Sequence, residues 1–222
     1  MKIACYTCIT GGYDSVSWIA KGQSPDIDFI CFTDDPMLQY TCWNWTVRPI
    51  PAELAHLSKV KQQRVVKACP HRYLGEYDAT LWVDGNIDVN CDVVKFAGEY
   101  DLGKFPVWTR KHPARDCIYE EAKAVLRLKK DVRANVDPQV EKYRKEGFPK
   151  KFGLFETCII LRVNSPETQV FGNMWAREIM DGSHRDQLSF DYCRWKTGTG
   201  VGALKVGSLL KDKNFRWRRH GK

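Results

Sequence analysis

Three apolar runs in the first half of the chain each stop on a polar tip, and this pattern constrains the fold most. Residues 2–9 (KIACYTCI) end at Thr10-Gly11-Gly12-Tyr13-Asp14, residues 28–33 at Asp34-Asp35-Pro36, and residues 80–83 at Asp84-Gly85-Asn86, with Ile87 and Asp88 following. Short apolar runs bounded by turn residues read as buried strands. Segments with helical signals separate them. Residues 57–69 read as a helix capped by Ser58 and stopped by Pro70. Residues 92–100 and 116–129 read as helices, the second capped by Asp116 with Glu120 and Glu121 in its first turns. Residues 138–146, 166–180 and 183–195 complete the helical set, and residues 105–109, 157–163 and 203–206 read as further strands. Strands alternating with helices define an α/β chain with a mostly parallel sheet. Ligands of such sheets bind beyond the carboxyl ends of the strands, where the three polar tips converge.

The chain has 222 residues, enough for one full domain and short for two, so a single domain over 1–222 is expected, with a basic tail from about residue 207. No apolar stretch approaches roughly 18 residues, so no membrane-spanning helix is expected. The first residues run directly into a strand rather than a signal peptide. Nine cysteines, odd in number and dispersed, read as reduced thiols in a cytoplasmic protein. Cys5 and Cys8 have redox-motif spacing, but in a strand they face opposite sides. The net charge of +8 admits phosphate-bearing substrates, nucleic acid or an anionic membrane face. No helix-turn-helix, RNP or zinc-finger signature accompanies it, so no nucleic-acid partner is expected. A peripheral membrane contact stays open.

The tips suit a divalent cation on a diphosphate. Mg²⁺ and Mn²⁺ take oxygen ligands, commonly one or two carboxylates plus substrate phosphates. Asp84 offers a carboxylate, Asn86 a neutral oxygen and Asp88 a second carboxylate, while Gly85 allows close approach of a ligand. Asp-Gly and Asn are also common turn residues, so the motif alone favours a plain turn, and the Leu81-Trp82-Val83 run with the other two tips brings the two readings level. Residues 10–13 form a Gly-rich turn without dinucleotide or Walker spacing, in which Tyr13 is placed to stack on a base. Lys61 and Arg64 share a helix face and supply cations for a diphosphate leaving group. Glu156 enters an apolar strand and is a candidate general base. Asp186 reads either as a capping acid in Ser183-His184-Arg185-Asp186 or as a base at a cleft-facing helix start.

Together, ITGGYD (9–14), FTDD (32–35), LWVDGNID (81–88), HPARDCIYEEA (112–122), GLFETCIILRVN (153–164) and SHRDQLSFDY (183–192) resemble the glycosyltransferase-like domain of plant turgor-regulation and mucilage proteins. Relatives of that family occur in bacterial and viral polysaccharide gene clusters. The resemblance covers roughly residues 3–195 and implies a GT-A fold, a nucleotide-diphosphate sugar donor and a saccharide or glycan acceptor. It implies Mn²⁺ or Mg²⁺ at Asp84, Asn86 and Asp88, although Asn86 stands where the usual Asp-x-Asp has its second carboxylate. His220, in the terminal His220-Gly221-Lys222, resembles the C-terminal metal-binding histidine of glycogenin-like enzymes. Thr10, Gly11, Gly12, Tyr13, Asp34, Asp35, Lys61, Arg64, His112, Arg115 and Gln187 are expected around the nucleotide-sugar, with Asp186 first and Glu156 second as catalytic carboxylate. The alternatives are a GT-A-like binding protein without turnover and a basic nucleic-acid-binding module.

Overall fold

The computed structural model describes residues 1–42 and 44–220. In chain order the strands are β1 (Ile3–Ile9), β2 (Ile27–Thr33), β3 (Thr46–Pro49), β4 (Ala79–Val83), β5 (Ile87–Val89), β6 (Val107–Lys111), β7 (Phe155–Val163), β8 (Val201–Ala203) and β9 (Phe215–Trp217). The helices are α1 (Lys59–Ala68), α2 (Pro70–Tyr73), α3 (Val93–Gly98), α4 (Ile118–Arg127), α5 (Arg133–Lys145), α6 (Pro166–Asp181) and α7 (Gln187–Thr197).

Seven strands form one mixed sheet in the order β3-β2-β1-β4-β7-β6-β8, and β5 pairs with β9 in a separate ribbon. β1 runs parallel to both β2 and β4, whereas β7 is antiparallel to β4 and β6. All seven residues of β1 are buried because both faces of the sheet are covered. Ala4, Tyr6 and Cys8 face a core shared with α1 and α4 to α7. Ile3, Cys5 and Ile9 face a second core closed by α3 and the β5/β9 ribbon. The strand alternation therefore separates Cys5 from Cys8, and all nine cysteines are free thiols.

The chain leaves β1 toward β2 on one side, while β4 lies on the other. A crevice opens at such a switch of strand order. Residues 10–14 follow β1 and residues 84–86 follow β4, so both tips border it. Among the described residues no helix is long and apolar enough to cross a membrane.

Several local expectations change. Cys117, not Asp116, occupies the N-cap of α4. Pro70 stops α1 but opens the short α2, a position where its missing N–H costs nothing. Pro138 lies inside α5 rather than at its start. α7 begins at Gln187, and residues 183–186 form an irregular turn before it. The ribbon of β5 and β9, and the edge strand β3, were not among the strands expected from sequence.

Candidate active site

A cleft of about 680 Å³ opens at the switch point, bordered by Thr10, Tyr13, Asp14, Arg64, Asp84, Asn86, Glu156, His184, Asp186 and His220, among others. Its floor is a charged network. Lys67 is wholly buried, and its Nζ lies 2.7 Å from Asp186 and 3.1 Å from Asp84. It also donates to Thr157 Oγ1. Arg162 explains why a lysine can be held there. It is itself buried and donates to the Lys67 and Ala68 carbonyls, satisfying the last turn of α1. Lys67 is thereby aimed under the cleft.

Asp84 follows β4 directly. Its Oδ1 accepts from Lys67 and from Trp82 Nε1 at 2.8 Å, while its Oδ2 makes no hydrogen bond among the described residues. The carboxylate is thus fixed by one oxygen and offers the other. Asn86 is nearly buried and donates through Nδ2 to the Arg218 carbonyl. His220 Nδ1 lies 2.9 Å from Asp14, and its Nε2 lies 3.5 Å from Asn86 Nδ2. A proton held on Nδ1 by Asp14 makes Nε2 an acceptor, engaged by a long bond from the Asn86 amide that an ion at Nε2 would replace. The Asp14 contact is the kind that orients a metal-binding imidazole. Tyr13, largely exposed, packs on the His220 ring at 4.8 Å.

Asp88 is not a ligand at this tip. The pleat turns it away from the cleft, and its buried carboxylate is taken by Arg218 at 2.7 Å, Arg216 at 3.2 Å and the Trp18 N–H at 3.0 Å. Those pairs tie β9 to β5 and so carry His220 back to the cleft. Gly221 and Lys222 lie outside the described residues.

The other expected residues divide. Thr10, Tyr13, Arg64, His112, Arg115 and Gln187 border the cleft. Gly11 and Gly12 both take positive φ, which glycine adopts without steric cost. Asp34 sits behind this turn, accepting from the Gly11 N–H and pairing with Lys59. Asp35 instead caps a 3-10 turn through the Met37 N–H. Lys61 points away and donates to the Met180 carbonyl at the end of α6, so the cation sharing the cleft with Arg64 is Lys67. His112 accepts from the Ala114 and Arg115 backbone N–H groups, and Arg115 pairs with Glu121.

Asp186 is neither a capping acid nor a free base. It makes no side-chain cap hydrogen bond. Its carboxylate is occupied by Lys67, Thr157 and Arg64, the last at 3.5 Å. Burial alone would raise its pKa, but Arg64 and then Lys67 hold it well below the usual carboxylate range. Such a group has little tendency to accept a proton. Glu156 is different. Its pKa is raised by burial, against the opposing effect of Arg110, which donates to it at 2.5 Å.

Sequence reasoning placed Lys67 on the right helix without assigning it a task. The usable signal was a lysine among Val65, Val66 and Ala68, three residues after Arg64. Arg185 was also passed over, although its Nε is buried without a hydrogen-bond partner at the cleft edge.

Among the described residues no three of His, Cys, Asp and Glu gather as a metal site on their own. The donors that face the cleft, one carboxylate oxygen and one imidazole nitrogen, nevertheless fit a divalent ion that completes its shell with substrate phosphates.

The sheet order, the helices on both faces and the cleft at the strand ends define a GT-A glycosyltransferase fold. Mouse xyloside xylosyltransferase 1 superimposes with a TM-score of 0.54 at 10% identity, covering 92% of this chain and 85% of that one. The bifunctional glycosyltransferase WbbM gives 0.53 at 13% identity, covering 91% of this chain and 38% of its own. The chain belongs to the TOD1/MUCI70 glycosyltransferase-like domain family, whose model matches residues 39–215. The probable hexosyltransferase MUCI70 of Arabidopsis thaliana is 28% identical over 142 residues, 60% of this chain. The chain spans 24% of the length of that relative.

Proposed function

We propose that this domain transfers a hexosyl or related sugar from a nucleoside-diphosphate donor to a saccharide or glycan hydroxyl. The observation that carries the reading is Asp84, held at Oδ1 by Lys67 and Trp82 with Oδ2 unengaged at the cleft that His220 also borders. A carboxylate preset in this way costs little to reorganise when charge arrives. Asp84 and His220, with Asn86 beside them, would hold Mg²⁺ or Mn²⁺. The ion would supply positive charge to the diphosphate as it departs.

The protein's own groups do the rest. Tyr13 offers an aromatic face at the cleft rim. Arg185 and Arg64 add cationic charge where the diphosphate leaves. The residues 10–14 turn, braced by Asp34, shapes the wall toward the nucleoside. The rival reading, binding without turnover, shares the donor site and differs only in the fate of the donor.

The test is a thermal-shift screen of nucleoside-diphosphate sugars with and without Mn²⁺. Ligand at 100 times its Kd raises stability by about 2.7 kcal/mol. The wild type should respond to at least one donor plus Mn²⁺, and D84A and H220A should lose that response while folding normally. No response by the wild type to any such donor would remove the nucleotide-sugar reading.

A further inference from the structure

We propose that His184, oriented by Asp131, is the base that takes the proton from the acceptor hydroxyl. The assignment rests on the glycosyl-transfer reading and adds a residue to it.

Asp131 lies just before α5, and its side chain is almost wholly buried. Five groups converge on it. Ser183 Oγ donates at 2.5 Å, the His184 N–H at 3.2 Å, Asn135 Nδ2 at 2.9 Å and the Val132 N–H at 2.7 Å, while His184 Nδ1 lies at 3.1 Å. Burial opposes its charge, but the hydrogen bonds from Ser183 and Asn135 outweigh that and lower its pKa. An ionised Asp131 places the imidazole proton on Nδ1. The Nε2 lone pair is then exposed, and Nε2 has no hydrogen-bond partner among the described residues. The ring borders the same cleft as Asp84, with its side chain 30% exposed. A carboxylate fixing the tautomer of an imidazole whose other nitrogen faces substrate is the general-base arrangement.

The ring is poised to be neutral at pH 7. Burial lowers its pKa, Asp131 and Asp186 oppose that, and Arg185 and Arg64 reinforce it. The other candidates are committed elsewhere. Asp186 is locked between Lys67 and Arg64, and Glu156 is paired with Arg110.

In the step itself the acceptor O–H proton passes to His184 Nε2. The freed electron pair on oxygen forms the bond to the donor's anomeric carbon. The bond from that carbon to the diphosphate oxygen breaks, and its electron pair leaves with the nucleoside diphosphate. His184 is left as an imidazolium beside Asp131 and returns the proton to solvent. A single displacement of this kind inverts the anomeric configuration.

The decisive variant is H184N. Asparagine keeps an N–H near the Nδ1 position for Asp131 but has no atom at Nε2. H184N should fold with an unchanged melting temperature and bind donor normally, yet lose ~10²–10⁴-fold in turnover. The wild type's kcat/KM should fall on acidification with an apparent pKa below the ordinary 6.5 of histidine, and H184N should lose this limb. The product should have inverted configuration by NMR. A wild type that binds donor but neither transfers nor hydrolyses it would overturn the catalytic reading, and this assignment with it. A wild type that turns over while H184N matches it, or that gives a retained product, would overturn the assignment alone.

Discussion

Lys67 and Asp186 show what a single buried pair does for this site. Neither is free to act on substrate, yet together they set the charge and position of Asp84. Breaking a buried pair strands the remaining charge and costs about 3–5 kcal/mol. D186N leaves Arg64 unpaired and Lys67 with Asp84 alone, so a loss of that order is expected in urea unfolding. The pH dependence has a definite sign. The folded pKa of Asp186 is lowered, so its contribution is complete above the ordinary 3.8 and is lost as pH falls below it. D186N should therefore unfold less steeply with acid than the wild type. Equal stability of the two proteins at pH 7 would show that the network does not hold the floor together. At this scale the sequence disclosed residue types but not partners. Asp84 could be placed because an apolar run ends there. The engagement of Asp186 by residues more than a hundred positions upstream had no local signal, and its spacing from Ser183 suggested a cap that the irregular turn at 183–186 does not form.

The helices deliver the cleft side chains, and α1 does so under close constraint. It packs against α6 at Gly172, where an added Cβ would meet the Ala68 carbonyl at 2.5 Å and the His71 ring at 3.2 Å. The Ala68 carbonyl also receives Arg162, so pushing it moves the turn that aims Lys67. G172A should cost about 1–3 kcal/mol by overpacking. Because the strain falls on the end of α1, it should also weaken donor binding at a site it does not touch. Full stability with wild-type donor affinity would mean that α6 can slide without cost. The long elements were legible here because their patterns are strong. β1, β2, β4 and β7 are predominantly apolar, and Ser58, Asp92 and Pro166 mark real helix starts. The short β3 was missed because it is a half-exposed edge strand with no buried residue to produce a pattern.

The whole molecule depends on a join that no local pattern encodes. β9 crosses back to β5, and Arg216 and Arg218 reach Asp88 from about 130 positions away in sequence. Sequence reading saw only a basic, aromatic tail and gave Asp88 to the metal. The structure makes Asp88 the anchor and brings His220 to the cleft through it. Arg218 reinforces the join: its guanidinium donates to the Gly85 carbonyl, its backbone N–H donates to the Asn86 carbonyl, and its own carbonyl accepts from the Asn86 side-chain amide. The consequence can be tested without touching a residue that faces the cleft. D88N keeps one acceptor oxygen but removes the charge that binds both arginines. It should loosen β9, seen as faster amide exchange at residues 215–218, and leave the main sheet intact because β9 is not part of it. If His220 helps to hold the ion, Mn²⁺-dependent donor affinity should fall ~10–100-fold, the usual effect of disturbing the support of a metal ligand. Donor affinity without metal should change little. Faster exchange in β9 with unaltered Mn²⁺ dependence would separate the strap from the metal and leave Asp84 as the side chain that the ion requires.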